Sequence, residues 1–416
     1  MMIDIDKNYW LYIAPYVYCT IKTNHALLYN TRNEANMVVD DSRILALLQS
    51  MHQKENLGAI RIEGEVVKKT FQTDFLSEFC EKEMGEILEI EKFPEKPIQL
   101  MPVLNLQRDV EKTQKMAASD LSNNYLSYLS ELTIYLCNDC SQNCLFCDNY
   151  FKQNLCCKTE SYAKNSVIDI TLFEKIIAQL QHKNVGKLNL LGGNVFSYPH
   201  YGKLPDVLKT FRGQIHIWNH YGNFKKKNNT LNYYYDIIVT YPLKEKSLEA
   251  YLQSFDQSKL KFHFYITNEI EYEKTESVIS GYKLKNYSIK PVYTGNNSRF
   301  FEEYVYTGYE DIFQEKPTFR HIFAHQKLNT HFFGLLTVFS NGDVYANVNA
   351  GSLGNISEVS LTEIIDKEMQ MNTAWRKTRD SFPCSECLYQ YICPSPSNYE
   401  TVINRTNLCH LKIQSS

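Results

Sequence analysis

Six short apolar runs that alternate with helix-compatible stretches constrain the fold of this chain more than any other feature. The runs have the length and composition of short strands and occupy residues 132–137, 187–191, 214–218, 236–241, 261–267 and 287–293. Stretches with the apolar spacing of a helix separate them, at residues 171–182, 204–210, 245–254 and 272–279. This alternation predicts an α/β fold in which crossover helices connect the strands of a parallel sheet.

The length, charge and apolar content of the chain limit its possible partners and its location in the cell. At 416 residues the chain is long enough for two to three domains. A formal net charge of -3 gives no electrostatic support to a nucleic-acid partner. No apolar run approaches the roughly 20 residues that span a bilayer, and the N-terminus lacks the pattern of a signal peptide. We therefore expect no nucleic-acid partner, no membrane association and a cytoplasmic location.

Three cysteines, Cys140, Cys144 and Cys147, lie in the loop after the first predicted strand. Three thiolates can hold a four-iron, four-sulfur (4Fe-4S) cluster and leave one iron open to a small molecule. Because barrels of parallel strands carry their chemistry at the carboxyl ends of the strands, we expect this loop at a ligand-binding edge.

Cys137 offers a fourth thiol at the same place. Cys137, Cys140, Cys144 and Cys147 could instead form a closed tetrahedral zinc site. Zinc-binding pairs usually lie on two knuckles with a longer spacer than the three residues between Cys140 and Cys144. The spacing favours the open iron–sulfur site, with Cys137 as a buried apolar neighbour, and zinc remains an alternative.

A second cysteine group lies near the C-terminus. Its members are Cys384, Cys387, Cys393 and Cys409. Four thiolates complete a coordination shell and leave no open position, and the spacing by itself allows either structural zinc or an iron–sulfur cluster.

Polar residues follow the second and third predicted strands. Gly192 and Gly193 would let the backbone approach a ligand closely, and Asn194 beyond them could bind a charged amine. If the isoleucines of the third strand face the helices, its alternation predicts that His216, Trp218 and His220 face the opposite, inner side of the sheet. They are interpreted either as packed, hydrogen-bonded interior side chains or as a lining for substrate.

The spacing of Cys140, Cys144 and Cys147, with Phe146 before the third cysteine, resembles that of the radical S-adenosylmethionine (SAM) enzymes. The resemblance implies a partial (β/α)6 barrel of the TIM type and a 4Fe-4S cluster that binds SAM. It also implies that Phe146 packs near the adenine, and that a Gly-Gly-Glu motif of the family, which helps to bind the cofactor's amino group, corresponds to Gly192, Gly193 and Asn194. Asn194 keeps the acceptor but loses the charge, and charge-assisted hydrogen bonds are roughly twice as strong as neutral ones.

The C-terminal cysteines resemble the SPASM extension of radical enzymes that modify peptides. A hairpin at Asn341-Gly342 and a helix from Leu361 precede them, as in that family. The family carries a further cysteine where Ser397 stands, and upstream cysteines near the hairpin. The resemblance therefore implies one auxiliary 4Fe-4S cluster, on Cys384, Cys387, Cys393 and Cys409.

The N-terminal region predicts a hairpin across Thr23-Asn24 followed by helices at residues 42–52 and 73–83. This order is similar to the RiPP recognition element, a winged-helix-like α+β module that binds the leader peptides of ribosomally made precursors. The predicted domains are a recognition element at 1–100, a linker at 101–128, a radical SAM barrel at 129–325 and a SPASM-type domain at 326–416.

Together these resemblances imply a radical SAM enzyme that modifies a precursor peptide through a 5′-deoxyadenosyl radical. Its implied partners are the leader-bearing peptide, an electron donor such as flavodoxin or ferredoxin, and a second radical SAM maturase. Two alternatives stay open. One is a pseudo-radical-SAM partner protein that presents the precursor to another maturase, and the other is a zinc-stabilised binding protein. No residue is assigned as a catalytic acid or base.

Overall fold

A computed structural model describes residues 4–70, 73–98, 115, 126–147, 149–157, 166–181, 183–224 and 231–411. The predicted linker at 101–128 thus lies outside the described residues except for 115 and 126–128. Within the described part of the chain, no helix has the length and apolar character needed to cross a membrane.

The N-terminal region contains two small antiparallel sheets and three helices. One sheet has the order β5-β1-β6 and the other the order β2-β3-β4. The elements are β1 (Asn8–Ile13), β2 (Val17–Ile21), β3 (Ala26–Asn30), β4 (Asn36–Val39), α1 (Ser42–Met51), β5 (Ala59–Glu63), α2 (Gly64–Thr70), α3 (Thr73–Glu81) and β6 (Gly85–Glu89). Ile21 pairs with Ala26, so the predicted hairpin across Thr23-Asn24 is confirmed, as are both predicted helices.

The central region alternates strands and helices as predicted. Its elements are β7 (Glu131–Tyr135), α4 (Ile170–Gln179), β8 (Lys187–Leu191), α5 (Leu204–Leu208), β9 (Gln214–His220), β10 (Tyr234–Val239), α6 (Glu245–Ser254), β11 (Leu260–Ile266), α7 (Glu269–Tyr282) and β12 (Tyr287–Pro291). Strands β7 to β12 lie side by side in chain order, and each neighbouring pair is parallel. The prediction of a parallel sheet in an α/β protein is therefore confirmed.

The C-terminal region extends the same sheet. Its elements are α8 (Ser298–Tyr304), α9 (Tyr309–Gln314), α10 (Phe319–Lys327), β13 (Leu335–Val338), β14 (Asp343–Tyr345), β15 (Gly354–Asn355), α11 (Leu361–Met371) and α12 (Asn398–Ile403). Strand β13 pairs in parallel with β7, and β14 and β15 continue antiparallel, which makes a sheet of nine strands. The hairpin predicted at Asn341-Gly342 is present.

Side-chain alternation divides the large sheet into two faces. On the outer face, residues such as Leu188, Ile217 and Ile237 join the buried helix residues in one hydrophobic core. On the inner face, Trp218 and Tyr265 belong to a separate aromatic cluster that includes the cysteine loop after β7. The prediction that the isoleucines of β9 face the helices while Trp218 faces inward is confirmed.

The N-terminal region packs against the C-terminal region. Buried side chains of the β2–β3 hairpin share one apolar cluster with residues from α9, α10 and the last cysteine group, namely Tyr18, Leu27, Tyr29, Ile312, Ile322 and Ile392. An ion pair at 2.8 Å between Lys316 Nζ and Glu34 Oε1 lies at the exposed side of this contact.

Candidate metal centres

The loop that carries Cys140, Cys144 and Cys147 leaves β7 at its carboxyl end and is held to the end of β8. The amide of Leu136 donates to the carbonyl of Leu191 at 2.7 Å, and the amide of Gly193 donates to the carbonyl of Cys157 at 2.7 Å. The amide of Asn194 donates to the carbonyl of Asp139 at 2.5 Å. These bonds position the three cysteines over the inner face of the sheet.

Gly192 and Gly193 are required by this attachment. Their φ angles of +111° and +53° lie in the left-handed region, which favours glycine. A Cβ atom at Gly192 would lie 2.1 Å from the carbonyl oxygen of Cys137, and one at Gly193 would lie 2.0 Å from that of Asp139. The two glycines therefore let the cysteine loop approach the end of β8.

The three thiols are partly buried in the aromatic cluster and lie close to one another. Burial raises the pKa of Cys140. A hydrogen bond with Cys147 raises the pKa of Cys144, and burial adds to this. A bound metal would reverse these shifts, because a ligating thiol is deprotonated.

Cys137 is bonded to the end of β8. It is 2% exposed, and its Sγ donates to the carbonyl of Gly192 at 3.1 Å. A tetrahedral zinc site needs sulfurs roughly 3.8 Å apart, from zinc–sulfur bonds of about 2.3 Å. Among the described residues, no group of three or more His, Cys, Asp or Glu side chains is gathered to hold a metal ion as it stands. Three cysteines in one loop match the three thiolates of an open 4Fe-4S cluster, and the thiol of Cys137 is already bonded to Gly192.

A cavity of about 260 Å³ opens beside this loop, between it and the carboxyl ends of β9, β10 and β11. Its walls include Gln142, Cys144, Phe146, His220, Thr240, Tyr241, Lys244, Tyr265 and Glu271. Burial, together with the charge of Lys244, lowers the pKa of His220 to about 4, so this imidazole is neutral near pH 7. Phe146 and His220 thus line the same cavity. Gly192, Gly193 and Asn194 are not among the described residues that line it.

Asn194 carries an unused acceptor. Its side-chain oxygen is buried and accepts no hydrogen bond from any residue that the structure describes. A buried acceptor without a donor costs about 1–3 kcal/mol. An ammonium group of a ligand would supply that donor.

Asn223 connects the parts of this site, and the sequence patterns do not reveal it. It follows β9 in the short turn Tyr221–Asn223. Its Nδ2 donates to the carbonyl of Gly193 at 3.3 Å and lies 4.0 Å from the Sγ of Cys140. Its Oδ1 accepts from Nε2 of Gln142 at 3.0 Å. The sequence patterns also assign no role to Cys156. Its Sγ lies 3.9 Å from the Sγ of Cys147, which places it beside the three-cysteine loop.

The inner face beneath the cavity holds a packed polar network. Asp236 receives a hydrogen bond on each carboxylate oxygen, from His216 at 2.6 Å and from His263 at 2.7 Å. Burial alone would raise the pKa of Asp236, but these bonds bring it below its usual range. The ring of Trp218 stacks on His263 with centroids 4.4 Å apart, and its Nε1 donates to Asn189 at 2.9 Å. His216 and Trp218 are therefore bonded interior side chains, whereas His220 is bonded to Thr240 and also lines the cavity.

The four C-terminal cysteines converge on a separate, smaller cavity of about 30 Å³. Cys384, Cys387, Cys393 and Cys409 all line it, together with Arg379 and Gln390. The amide of Cys387 donates to the carbonyl of Cys384 at 3.0 Å, which forms a tight knuckle. Burial raises the pKa of Cys393 to about 12.

Ser397 occupies the position where the SPASM pattern carries another cysteine. Its hydroxyl caps α12 and accepts from the amide of Tyr399 at 3.3 Å, while its own amide donates to Glu400 at 2.8 Å. The side chain at this position therefore stabilises a helix start.

Comparison with known proteins gives only distant likenesses. No protein-family model and no curated protein matches the chain. The crystal structure of Streptococcus suis SuiB bound to S-adenosylmethionine is 14% identical over 96% of this chain and 100% of that chain, with a TM-score of 0.48. SuiB bound to the precursor peptide SuiA is 15% identical with the same coverages and a TM-score of 0.46.

Proposed function

We propose that this protein is a radical SAM enzyme that modifies a ribosomally synthesised precursor peptide. The observation that carries the proposal is the position of the three-cysteine loop. It leaves the first of six parallel strands at the carboxyl end and borders a cavity of about 260 Å³. The sheet then serves as a partial barrel with its chemistry at the strand ends.

Cys140, Cys144 and Cys147 would hold the first 4Fe-4S cluster, whose open iron binds SAM. With one electron from the proposed flavodoxin or ferredoxin, these groups would release methionine and supply a 5′-deoxyadenosyl radical, which would take a hydrogen atom from the peptide and become 5′-deoxyadenosine. The chain supplies position and exclusion of water. Asn194 lies outside the cavity walls but is bonded to the cysteine loop, and from there it would offer its oxygen to the amino group of the cofactor. Phe146 would contribute an apolar wall beside Cys144.

Cys384, Cys387, Cys393 and Cys409 would hold one auxiliary 4Fe-4S cluster. Convergence of all four on one cavity supports this assignment. Because four thiolates leave no free iron, the site suits electron transfer or structural support.

The N-terminal region is proposed to bind the leader peptide. Among the described residues, the edge strands of its two small sheets pair on one side only, and edge strands can accept a peptide as an added strand.

The proposed electron donor is flavodoxin or ferredoxin. We propose a cytoplasmic location, because eight of the twelve cysteines fall in two closely spaced groups that suit metal ligation in a reducing compartment.

A partner protein that binds the precursor for another maturase is the second candidate. The observation that favours it is Asn194, which cannot offer a carboxylate to the cofactor's amino group. Such a protein would bind clusters or peptide without cleaving SAM.

One experiment separates these functions. The protein is reconstituted anaerobically, its iron and sulfide are counted, and it is incubated with dithionite and SAM. The enzyme produces 5′-deoxyadenosine, and Cys144→Ala does not. Clusters without 5′-deoxyadenosine, even with precursor present, would establish the partner protein, and zinc without sulfide would contradict both candidates.

A further inference from the structure

A buried cation faces the four C-terminal cysteines. Arg379 lines their cavity, its side chain is only 13% exposed, and its Nη1 lies 3.8 Å from the Sγ of Cys384. Its Nη2 pairs with Oε1 of Glu400 at 2.9 Å. This geometry directs a charged N–H group at a sulfur while Glu400 keeps the guanidinium in place.

A second cation reaches the same knuckle from the N-terminal region. Lys22 follows β2, and its Nζ donates to the carbonyl of Ser385 at 2.6 Å, between Cys384 and Cys387. The same Nζ donates to Oε1 of Gln390 at 2.9 Å.

Gln390 joins the two cations into one network. It is 6% exposed, and its Nε2 donates to the carbonyl of Arg379 at 2.8 Å. The amide side chain thus contacts Lys22 with its oxygen and the backbone of Arg379 with its nitrogen. A change in the docking of the N-terminal region would therefore alter the hydrogen bonds next to the cysteines.

Four thiolates around a metal centre carry a net negative charge, and charge and hydrogen bonds at the sulfurs set the reduction potential of an iron–sulfur cluster. Cations stabilise the reduced form more than the oxidised form, because reduction adds a negative charge. Glu400 offsets part of the charge of Arg379, but its carboxylate also bonds the start of α12.

We propose that Arg379 and Lys22 are positioning residues that raise the reduction potential of the metal centre on Cys384, Cys387, Cys393 and Cys409. Lys22 makes that potential depend on the docked N-terminal region. The inference rests on the proposed iron–sulfur assignment of this site.

The test is a redox titration followed by electron paramagnetic resonance. All variants are made in the full chain with Cys144→Ala, so that only the C-terminal centre gives a signal. Arg379→Gln is paired with Glu400→Gln, because a lone buried carboxylate would be costly. The double change removes one charge of each sign, so its effect comes from the loss of the N–H group next to Cys384. It should lower the ratio of reduced to oxidised centre at a fixed potential about threefold, which is about 28 mV for one electron.

Lys22→Gln should lower the same ratio about two- to threefold. Its matched control is Lys316→Gln, which removes the 2.8 Å ion pair with Glu34 between the same two regions. Arg379→Lys keeps the charge but not the guanidinium geometry and should fall between the parent and Arg379→Gln/Glu400→Gln.

The outcomes separate the two levels of the proposal. Iron present with an unchanged potential in both Arg379→Gln/Glu400→Gln and Lys22→Gln would overturn this inference alone. An equal shift in Lys316→Gln and Lys22→Gln would overturn the role of Lys22, since docking and not its charge would then be the cause. A Cys144→Ala chain without iron would overturn the auxiliary cluster itself and this inference with it.

Discussion

The two cysteine sites differ in what surrounds the sulfurs. The loop of Cys140, Cys144 and Cys147 borders a cavity of about 260 Å³, and neutral amides such as Asn223 lie next to it. The C-terminal cysteines enclose only about 30 Å³ and face the cation of Arg379. An open centre needs room and unused acceptors for a ligand, whereas a closed centre needs its own charge neutralised by the protein.

The attachment of the sites to the fold also differs. The first loop is held by backbone hydrogen bonds and by close approach to Gly192 and Gly193, all within one end of the large sheet. The second site combines turns of the C-terminal region with Lys22 of the N-terminal region. The first therefore depends on the sheet and the second on docking between regions.

The largest effect is expected from removing a ligand at either site. The parent chain should hold about eight iron atoms, four for each cluster. Cys144→Ala and Cys393→Ala should each lose about half of this iron. Only Cys144→Ala should abolish the formation of 5′-deoxyadenosine from SAM. Iron analysis and product chromatography measure both quantities. Iron unchanged in Cys144→Ala would refute the ligand assignment.

Gly193→Ala should disturb the first site and spare the second. The added Cβ would meet the carbonyl oxygen of Asp139 at 2.0 Å, and φ is +53°. We expect a loss of about 3 kcal/mol in unfolding free energy together with loss of the first cluster. Gly202→Ala is the control, because among the described residues no atom beyond its two chain neighbours lies within 4 Å of its Cβ position. Urea unfolding and iron counts test the pair, and equal behaviour of the two variants would contradict the account.

Asp236→Asn should weaken the sheet interior below the first site. The change replaces an acceptor of two imidazole hydrogen bonds by an amide with one oxygen, at a cost of about 1–3 kcal/mol. Because the folded pKa of Asp236 is lowered, the carboxylate stabilises the parent fully above its unfolded pKa of about 3.9. That contribution disappears as the pH falls through the folded pKa. The stability difference between parent and variant should therefore shrink in acid, which unfolding curves from pH 7 to pH 3 can measure.

Asn194→Ala should have the smallest effect. Removing the buried acceptor should weaken SAM binding about tenfold, equivalent to about 1.4 kcal/mol, without loss of iron. Asn194→Asp would restore a charged acceptor and should bind SAM at least as tightly as the parent. Calorimetric titration of SAM into the reconstituted chains measures both, and an unchanged affinity in Asn194→Ala would remove Asn194 from the cofactor site.

The strand and helix pattern could be predicted because each element carries its own signal. Residues 187–191 and 245–254 coincide with β8 and α6, because a short leucine-rich run and a ten-residue stretch with helical apolar spacing indicate a strand and a helix without help from distant contacts. The two cysteine groups could be predicted for the same reason, because most of their members lie close together in the sequence.

Other parts of the sites depend on contacts between residues far apart in the chain. Lys22 and Ser385 are 363 positions apart, and Asn223 and Cys140 are 83 apart. Neither pair has a pattern in the sequence, because sheet order and docking bring them together. The glycines after β8 were identified by position, but their role against the cysteine loop follows only from the 2.0 and 2.1 Å approach distances.

The central claim is that one cysteine site is open to SAM and the other is closed. The most direct test is electron paramagnetic resonance of the reduced, reconstituted protein before and after SAM is added, with Cys144→Ala and Cys393→Ala used to assign the two signals. We expect SAM to change only the signal that Cys144→Ala removes. A change in the signal that Cys393→Ala removes, or no change in either signal, would contradict the claim.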